Sequence, residues 1–242
     1  MVWSPETADL HNSLGIALAE KGRLDEAIPH FEKVVALDPA NRDAHANLGR
    51  AYTAQKRLDQ AIPHFEKALE RNPGSAELHS QLGFALANRN RVAEAIPQLE
   101  RALEISPGLV EARYYLGSAL MMNGRRAEAL AQWRQALRQD PDNLRVLNDT
   151  AWALATCADP ALRHGTEAVT LAEHAAELTS GREPAVLATL AAAHAEAGRS
   201  DRAVELENRA IVLAAREGNA PLAATLPARL TQLQAKMPIR QP

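Results

Sequence analysis

The chain repeats itself every 34 residues, and no other feature of the sequence constrains the fold as strongly. Leu-Gly pairs stand at Leu14-Gly15, Leu48-Gly49, Leu82-Gly83 and Leu116-Gly117. At the same step follow Ala27-Ile28, Ala61-Ile62, Ala95-Ile96 and Ala129-Leu130, then a large apolar residue at Phe31, Phe65, Leu99 and Trp133. A proline closes each unit, at Pro39, Pro73, Pro107 and Pro141. A unit this short cannot bury its own apolar face, so successive units must stack on one another.

Within a unit the apolar spacing is helical. Leu48, Ala51 and Tyr52 share one face of a first helix, for which Asn41 is the N-cap and which runs from Arg42 to about Gln55. Ala61, Phe65 and Ala68 share a face of a second helix, from about Asp59 to Arg71. The turn between them carries Gly22, Asn90, Gly124 or Gly198, residues that tolerate a left-handed backbone. Pro29, Pro63 and Pro97 are expected in the first turn of the second helix, where a missing N–H costs little. Small residues recur at Gly15, Gly49, Gly83, Gly117 and Ala151, facing Ala27, Ala61, Ala95, Ala129 and Ala168, and predict close helix pairing. Alanine, the best helix former, makes up roughly a fifth of the chain.

These markers resemble the tetratricopeptide repeat, in its bacterial type, over residues 8 to about 217. The resemblance implies an all-α fold: a right-handed α-solenoid of helix-turn-helix repeats with a C-terminal capping helix. Residues 1–219 divide into six repeats at about 8–41, 42–75, 76–109, 110–143, 144–183 and 184–217, and 220–242 form the capping helix and tail. The fifth repeat departs from the pattern. Thr150-Ala151 replaces Leu-Gly, and Ala151 to Ala168 spans 17 residues where Gly117 to Ala129 spans 12, so an inserted loop lies at 156–165. Glu207 stands where earlier repeats carry Phe, Leu or Trp, which predicts altered packing. Leu222, Leu226, Leu230 and Leu233 mark the capping helix, and Pro227 predicts that it kinks or begins near Leu226.

For function the resemblance implies a scaffold that binds a peptide or protein segment in a concave groove lined by the first helices. By phase, Asn12, Asn47, Arg50, Gln81, Asn88, Asn148 and Asp149 supply polar groups to that groove, and Phe84, Tyr114, Tyr115, Met122 and Trp152 supply an apolar strip. Four of these are aromatic in a chain with only three Trp, three Tyr and three Phe, and aromatics and methionine enrich binding surfaces. Two other readings stand beside it. Met1 to Ala8 is too short to cover the first helix, so that edge could stack on a second copy and make the chain a self-assembling homo-oligomer. Alternatively, the chain is a regulatory or substrate-presenting repeat segment of a larger enzyme or membrane protein.

Composition narrows the remaining classes. A net charge of −3 offers no overall field for nucleic acid or an anionic membrane. One cysteine excludes an internal disulfide framework and a multi-cysteine zinc site. His11, His45 and His79, like His30 and His64, recur once per repeat, too far apart to converge on one metal. Cys157 with His164 is the one nucleophile–base pair to test, and nothing evident supplies an oxyanion site. Acidic residues at Asp9, Asp43, Glu77 and Glu111, where chaperone-binding relatives hold a peptide carboxylate with basic groups, predict no such docking. No phosphate loop, cofactor motif or signal peptide is present, so the expectation is a non-enzymatic cytoplasmic chain without cofactor or metal.

Overall fold

A computed structural model describes residues 5–240, which form thirteen α-helices and one short 3-10 turn, with no strand among the described residues. Contacts divide the chain into two units, one up to Arg125 and one from Arg126 onward. The first unit holds α1 (Pro5–Glu20), α2 (Leu24–Leu37), α3 (Arg42–Ala54), α4 (Leu58–Arg71), α5 (Ala76–Asn88), α6 (Val92–Ile105) and α7 (Val110–Met122). The second holds α8 (Arg126–Gln139), α9 (Leu144–Thr156), the 3-10 turn Pro160–Leu162, α10 (Gly165–Leu178), α11 (Pro184–Glu196), α12 (Ser200–Arg216) and α13 (Ala220–Gln234). Within each unit every helix packs on the next, and α1, α3, α5 and α7 also touch in succession, as do α9, α11 and α13. The all-α repeat fold expected from the 34-residue period is the one observed.

Local chemistry sets the ends of these helices. Asn41 and Asn143 side chains accept from the backbone N–H groups of Ala44 and Val146, and Ser75 from that of Leu78, each capping a first helix. The second helices instead follow Arg23, Arg57 and Arg91, whose guanidiniums hold Glu26, Gln60 and Glu94 three residues on. The turn residues are left-handed at a constant step: Gly22 at φ 74°, Lys56 and Asn90 at 61°, Gly124 at 77°. Lys56 pays a steric cost there that glycine does not.

The recurring glycine is a seat for a side chain. A Cβ added to Gly49 would lie 2.5 Å from Phe65 Cε1, and one on Gly15 would lie 2.6 Å from Phe31 Cε1. At Gly83 the obstacle is Leu99 Cγ, again at 2.5 Å. The small residue therefore admits the large apolar group of the paired helix, and at Gly83 the Ala95 carbonyl, 3.2 Å away, as well. Pro29, Pro63 and Pro97 lie one turn deeper than expected, as the sixth residue of α2, α4 and α6. These helices run through them: each proline is exposed, and the acceptor it leaves without a helix bond, such as the Asp25 carbonyl, belongs to an exposed residue near the helix start.

In the second unit Ala151 and Ala168 fill the small positions and are fully buried. Glu207 is also buried, with no exposure, and faces Arg229 of α13 with Nε 3.2 Å from Oε1. Neither carboxylate oxygen makes a hydrogen bond, so this is a charge contact alone. Arg229 Nη2 donates to the Ala188 carbonyl at 2.7 Å. α13 starts at Ala220, capped by Asn219, rather than near Leu226, and continues through the exposed Pro227.

Candidate peptide-binding surface

The 34-residue period sets the first-helix side chains in rows. Asn47, Gln81 and Tyr115 share one register position in α3, α5 and α7, and Arg50 and Phe84 share the position three residues on. Because α3, α5 and α7 touch in succession, these rows become neighbours in space. Asn47 Nδ2 donates to Asn12 Oδ1 of α1 at 3.1 Å, and Arg50 Nη1 donates to Asn47 Oδ1 at 2.9 Å. Asn12, Asn47 and Arg50 thus form a hydrogen-bonded chain that holds Arg50 at the rim of a cavity.

That cavity measures about 230 Å³ and is lined by Arg50, Thr53, Ala54, Phe65, Gln81, Phe84, Glu111 and Tyr115. Its aromatic wall is a pair: the Phe84 and Tyr115 ring centres lie 4.7 Å apart, tilted by 42°. Tyr114 adds a third ring, 5.6 Å from that of Tyr115. The Tyr115 hydroxyl donates to Glu111 Oε1 at 2.7 Å, which ties the ring to the acidic edge of the cavity. Gln81 contributes a buried amide oxygen with no hydrogen-bond partner. A buried acceptor left unpaired costs free energy that an incoming donor would recover.

Other residues expected in the groove are engaged differently. Asn88 donates to the Phe84 carbonyl one turn back, and Met122 is exposed. In the second unit Asn148 Nδ2 donates to Asp149 Oδ1 at 3.4 Å, while Asn148 Oδ1 is buried and unpaired. Trp152 lies beneath the Arg229 guanidinium, 4.7 Å from the ring centre, so α13 covers part of the ring expected to face a ligand. Thr53 and Ala54 join the lining without a signal in the sequence. Glu111 carries a readable signal, one helical turn before Tyr115.

The histidines pair across the helices of one repeat. His11 and His30 bring their Nδ1 atoms within 2.8 Å, as do His45 and His64; in the third repeat Gln98 replaces the second histidine and meets His79 Nδ1 at 2.7 Å. His45 Nε2 faces the Pro39 carbonyl, so it carries the proton there and its Nδ1 accepts from His64. Burial, then the neighbouring His45, pushes His64 below the usual histidine range. Cys157 is buried and His164 exposed, and no hydrogen bond joins them among the described residues. Among the described residues no helix is long and apolar enough to cross a membrane.

Sequence profiles of the tetratricopeptide repeat match residues 2–42, 12–76, 47–110, 89–153 and 184–206. No curated protein matches significantly. Similar solved structures include PilW, a widely conserved type IV pilus biogenesis factor, at 20% identity and TM-score 0.77, covering 92% of this chain and 99% of that one. MamA aligns at 26% identity and TM-score 0.61, over 69% of this chain and 95% of its own. YrrB, described as a repeat protein with an unusual peptide-binding site, aligns at 25% identity and TM-score 0.58, over 70% of this chain and 85% of its own.

Proposed function

The chain belongs to the tetratricopeptide repeat family, a scaffold for protein interaction, and from that premise we propose that its first unit binds an extended peptide where Arg50, Gln81, Phe84 and Tyr115 meet. The observation that carries this reading is the cavity walled by the Phe84–Tyr115 pair, with the unpaired Gln81 oxygen buried in its lining. One large apolar side chain of the peptide packs against the Phe84–Tyr115 pair, and the Gln81 amide turns outward to accept from a peptide N–H. A cavity of about 230 Å³ suits a single side chain better than a cofactor, since drug-sized pockets start near roughly 300 Å³. Arg50, held by Asn47, offers its remaining donors to the peptide's carbonyls, and Glu111 sets the acidic edge. That YrrB has a peptide-binding site supports the class of ligand.

Peptides selected from a random displayed library on the intact chain test this. They should share one large apolar position. Burying such a side chain is worth about 1.5–3 kcal/mol, so Phe84→Ala should weaken them about tenfold or more. Equal affinity for a Phe84→Ala/Tyr115→Ala variant of unchanged helicity would dismiss the site.

One observation favours a second reading, association with another copy. Leu10 and Leu14 of α1 are 68% and 44% exposed, whereas Ala44 and Leu48, their equivalents in α3, are fully buried by the preceding repeat. Of Met1 to Ala8, expected to be too short to cover this edge, Met1–Ser4 lie outside the described residues and Pro5 to Ala8 open α1. Self-association through α1 requires a light-scattering mass that rises with concentration and returns to the monomer value in Leu10→Glu.

A further inference from the structure

In the second unit, at the ends of α9 and α11, guanidiniums from the inserted loop of the fifth repeat and from the segment after α13 meet on one carboxylate, Glu196. The last carbonyls of α9 lack helical partners, and the helix dipole concentrates partial negative charge there. Arg163, from the loop, donates through Nη1 to the Cys157 and Ala158 carbonyls at 3.0 and 3.1 Å, and through Nε to Glu196 Oε1 at 2.9 Å. The loop reaches α11 only because residue 165 is glycine. A Cβ there would stand 2.8 Å from Ala197 N and 2.9 Å from Glu196 C, both backbone atoms. Arg163 thereby holds the Glu196 carboxylate, whose side chain is 15% exposed, with Oε2 directed to a second cation.

Residues after α13 supply that cation. Arg240 Nη2 lies 2.6 Å from Glu196 Oε2, and its Nη1 donates to the Ala155 carbonyl at 3.3 Å. Its neighbour Ile239 is only 6% exposed although it belongs to no helix. Between this pair and α13 the chain turns through Lys236, left-handed at φ 56°, a conformation costly for a residue with a side chain. The docked element therefore amounts to one aliphatic group and one guanidinium, tethered through a strained turn. Carboxylate and helix-end carbonyls together suit a guanidinium, which can donate to both at once.

We infer that the ends of α9 and α11 form a peptide-recognition site for an aliphatic residue followed by arginine, which residues 239–240 occupy in cis and from which a partner segment of the same chemistry displaces them. The site is separate from the Phe84–Tyr115 cavity, and neither reading depends on the other. A tethered segment acts at millimolar effective concentration, so the intact chain should exclude a weak competitor that an emptied site accepts.

The probe is a fluorescein-labelled peptide with the sequence of residues 234–240, Gln-Ala-Lys-Met-Pro-Ile-Arg, titrated by anisotropy. Full-length Ile239→Asp/Arg240→Ala should bind it saturably, about tenfold or more tighter than wild type does. Binding should vanish when the peptide's arginine is replaced by glutamate, and when Glu196→Gln is added to the emptied chain. Should the double variant lose helicity, Arg240→Ala alone serves in the same titration, with the same outcomes. No saturable binding up to about 1 mM by a variant of wild-type helicity overturns the inference. Equal affinity for wild type and variant does the same, because the peptide would then be bound elsewhere.

Discussion

Glu207→Gln should make the second unit markedly more stable at pH 8 and change it by less than about 1 kcal/mol at pH 5. The Glu207 carboxyl has no exposure and no hydrogen bond, and burial pushes it from an ordinary 4.5 up to about 7 despite the nearby Arg229. Below pH 4.5 the group is protonated whether the chain is folded or not, and its charge costs nothing. Between that point and about 7 the unfolded chain loses the proton while the folded one keeps it, so stability falls as pH rises. At about 1.4 kcal/mol per pH unit, the full loss is on the order of 3 kcal/mol. Glutamine has the same shape and stays neutral, so it escapes that loss. Urea unfolding at pH 5, 6, 7 and 8, followed through Trp133 and Trp152 of this unit, measures it, and other titrations cancel in the difference between variant and wild type. The rival expectation has the opposite sign. If attraction to Arg229 outweighs desolvation, removing the charge leaves a buried guanidinium unpaired, at a cost of about 3–5 kcal/mol. A variant less stable than wild type at pH 8 would therefore refute the reasoning.

Three further outcomes follow from the first unit. Lys56→Gly relieves a left-handed lysine at φ 61° and should add about 1 kcal/mol, seen as a melting temperature a few degrees higher. Gly49→Ala drives a Cβ to 2.5 Å from the fully buried Phe65 and should cost about 1–3 kcal/mol, while Gly108→Ala, with no atom within 4 Å, should be close to neutral. His64, held low by burial and by His45, resists protonation in the folded state, so it contributes a loss of stability as pH falls below about 6.5. His64→Gln, copying Gln98 of the third repeat, should flatten that loss in thermal melts compared at pH 5 and pH 8.

Periodicity explains which of these features could be read from the sequence. Where each repeat sees the same neighbours, one residue at one phase has one environment. The Asn41 and Asn143 caps, the Phe31 and Phe65 packing, and the meeting of Asn12, Asn47, Arg50, Gln81, Phe84 and Tyr115 all follow from phase alone. Lys56 escaped notice because φ belongs to the turn, not to the residue: the turn imposes a left-handed backbone whether or not glycine is there to accept it. The second helices begin at Leu24 and Leu58, so each proline is the sixth helical residue, in the second turn and not the first, where its exposed position lets the helix continue.

In the inserted loop and where α13 and the segment after it dock, the template no longer dictates neighbours, and the contacts that matter are long-range and unique. Glu207 is visible as a departure, but its partner Arg229 is not, because the register of α13 on α12 belongs to no repeat. That one contact also decides the state of Trp152, which phase alone assigns to an open groove and which Arg229 covers. The same holds for Glu196, whose two guanidinium partners come from the inserted loop and from the segment after α13. In the first unit the proposed recognition groups sit on the repeated rows; in the second they sit where repetition fails. Substitutions that preserve the repeat, such as exchanges among Gly and Ala at the small positions, therefore act on stability, whereas changes at Arg163, Glu196 or Arg229 act on surfaces that the repeat pattern does not encode.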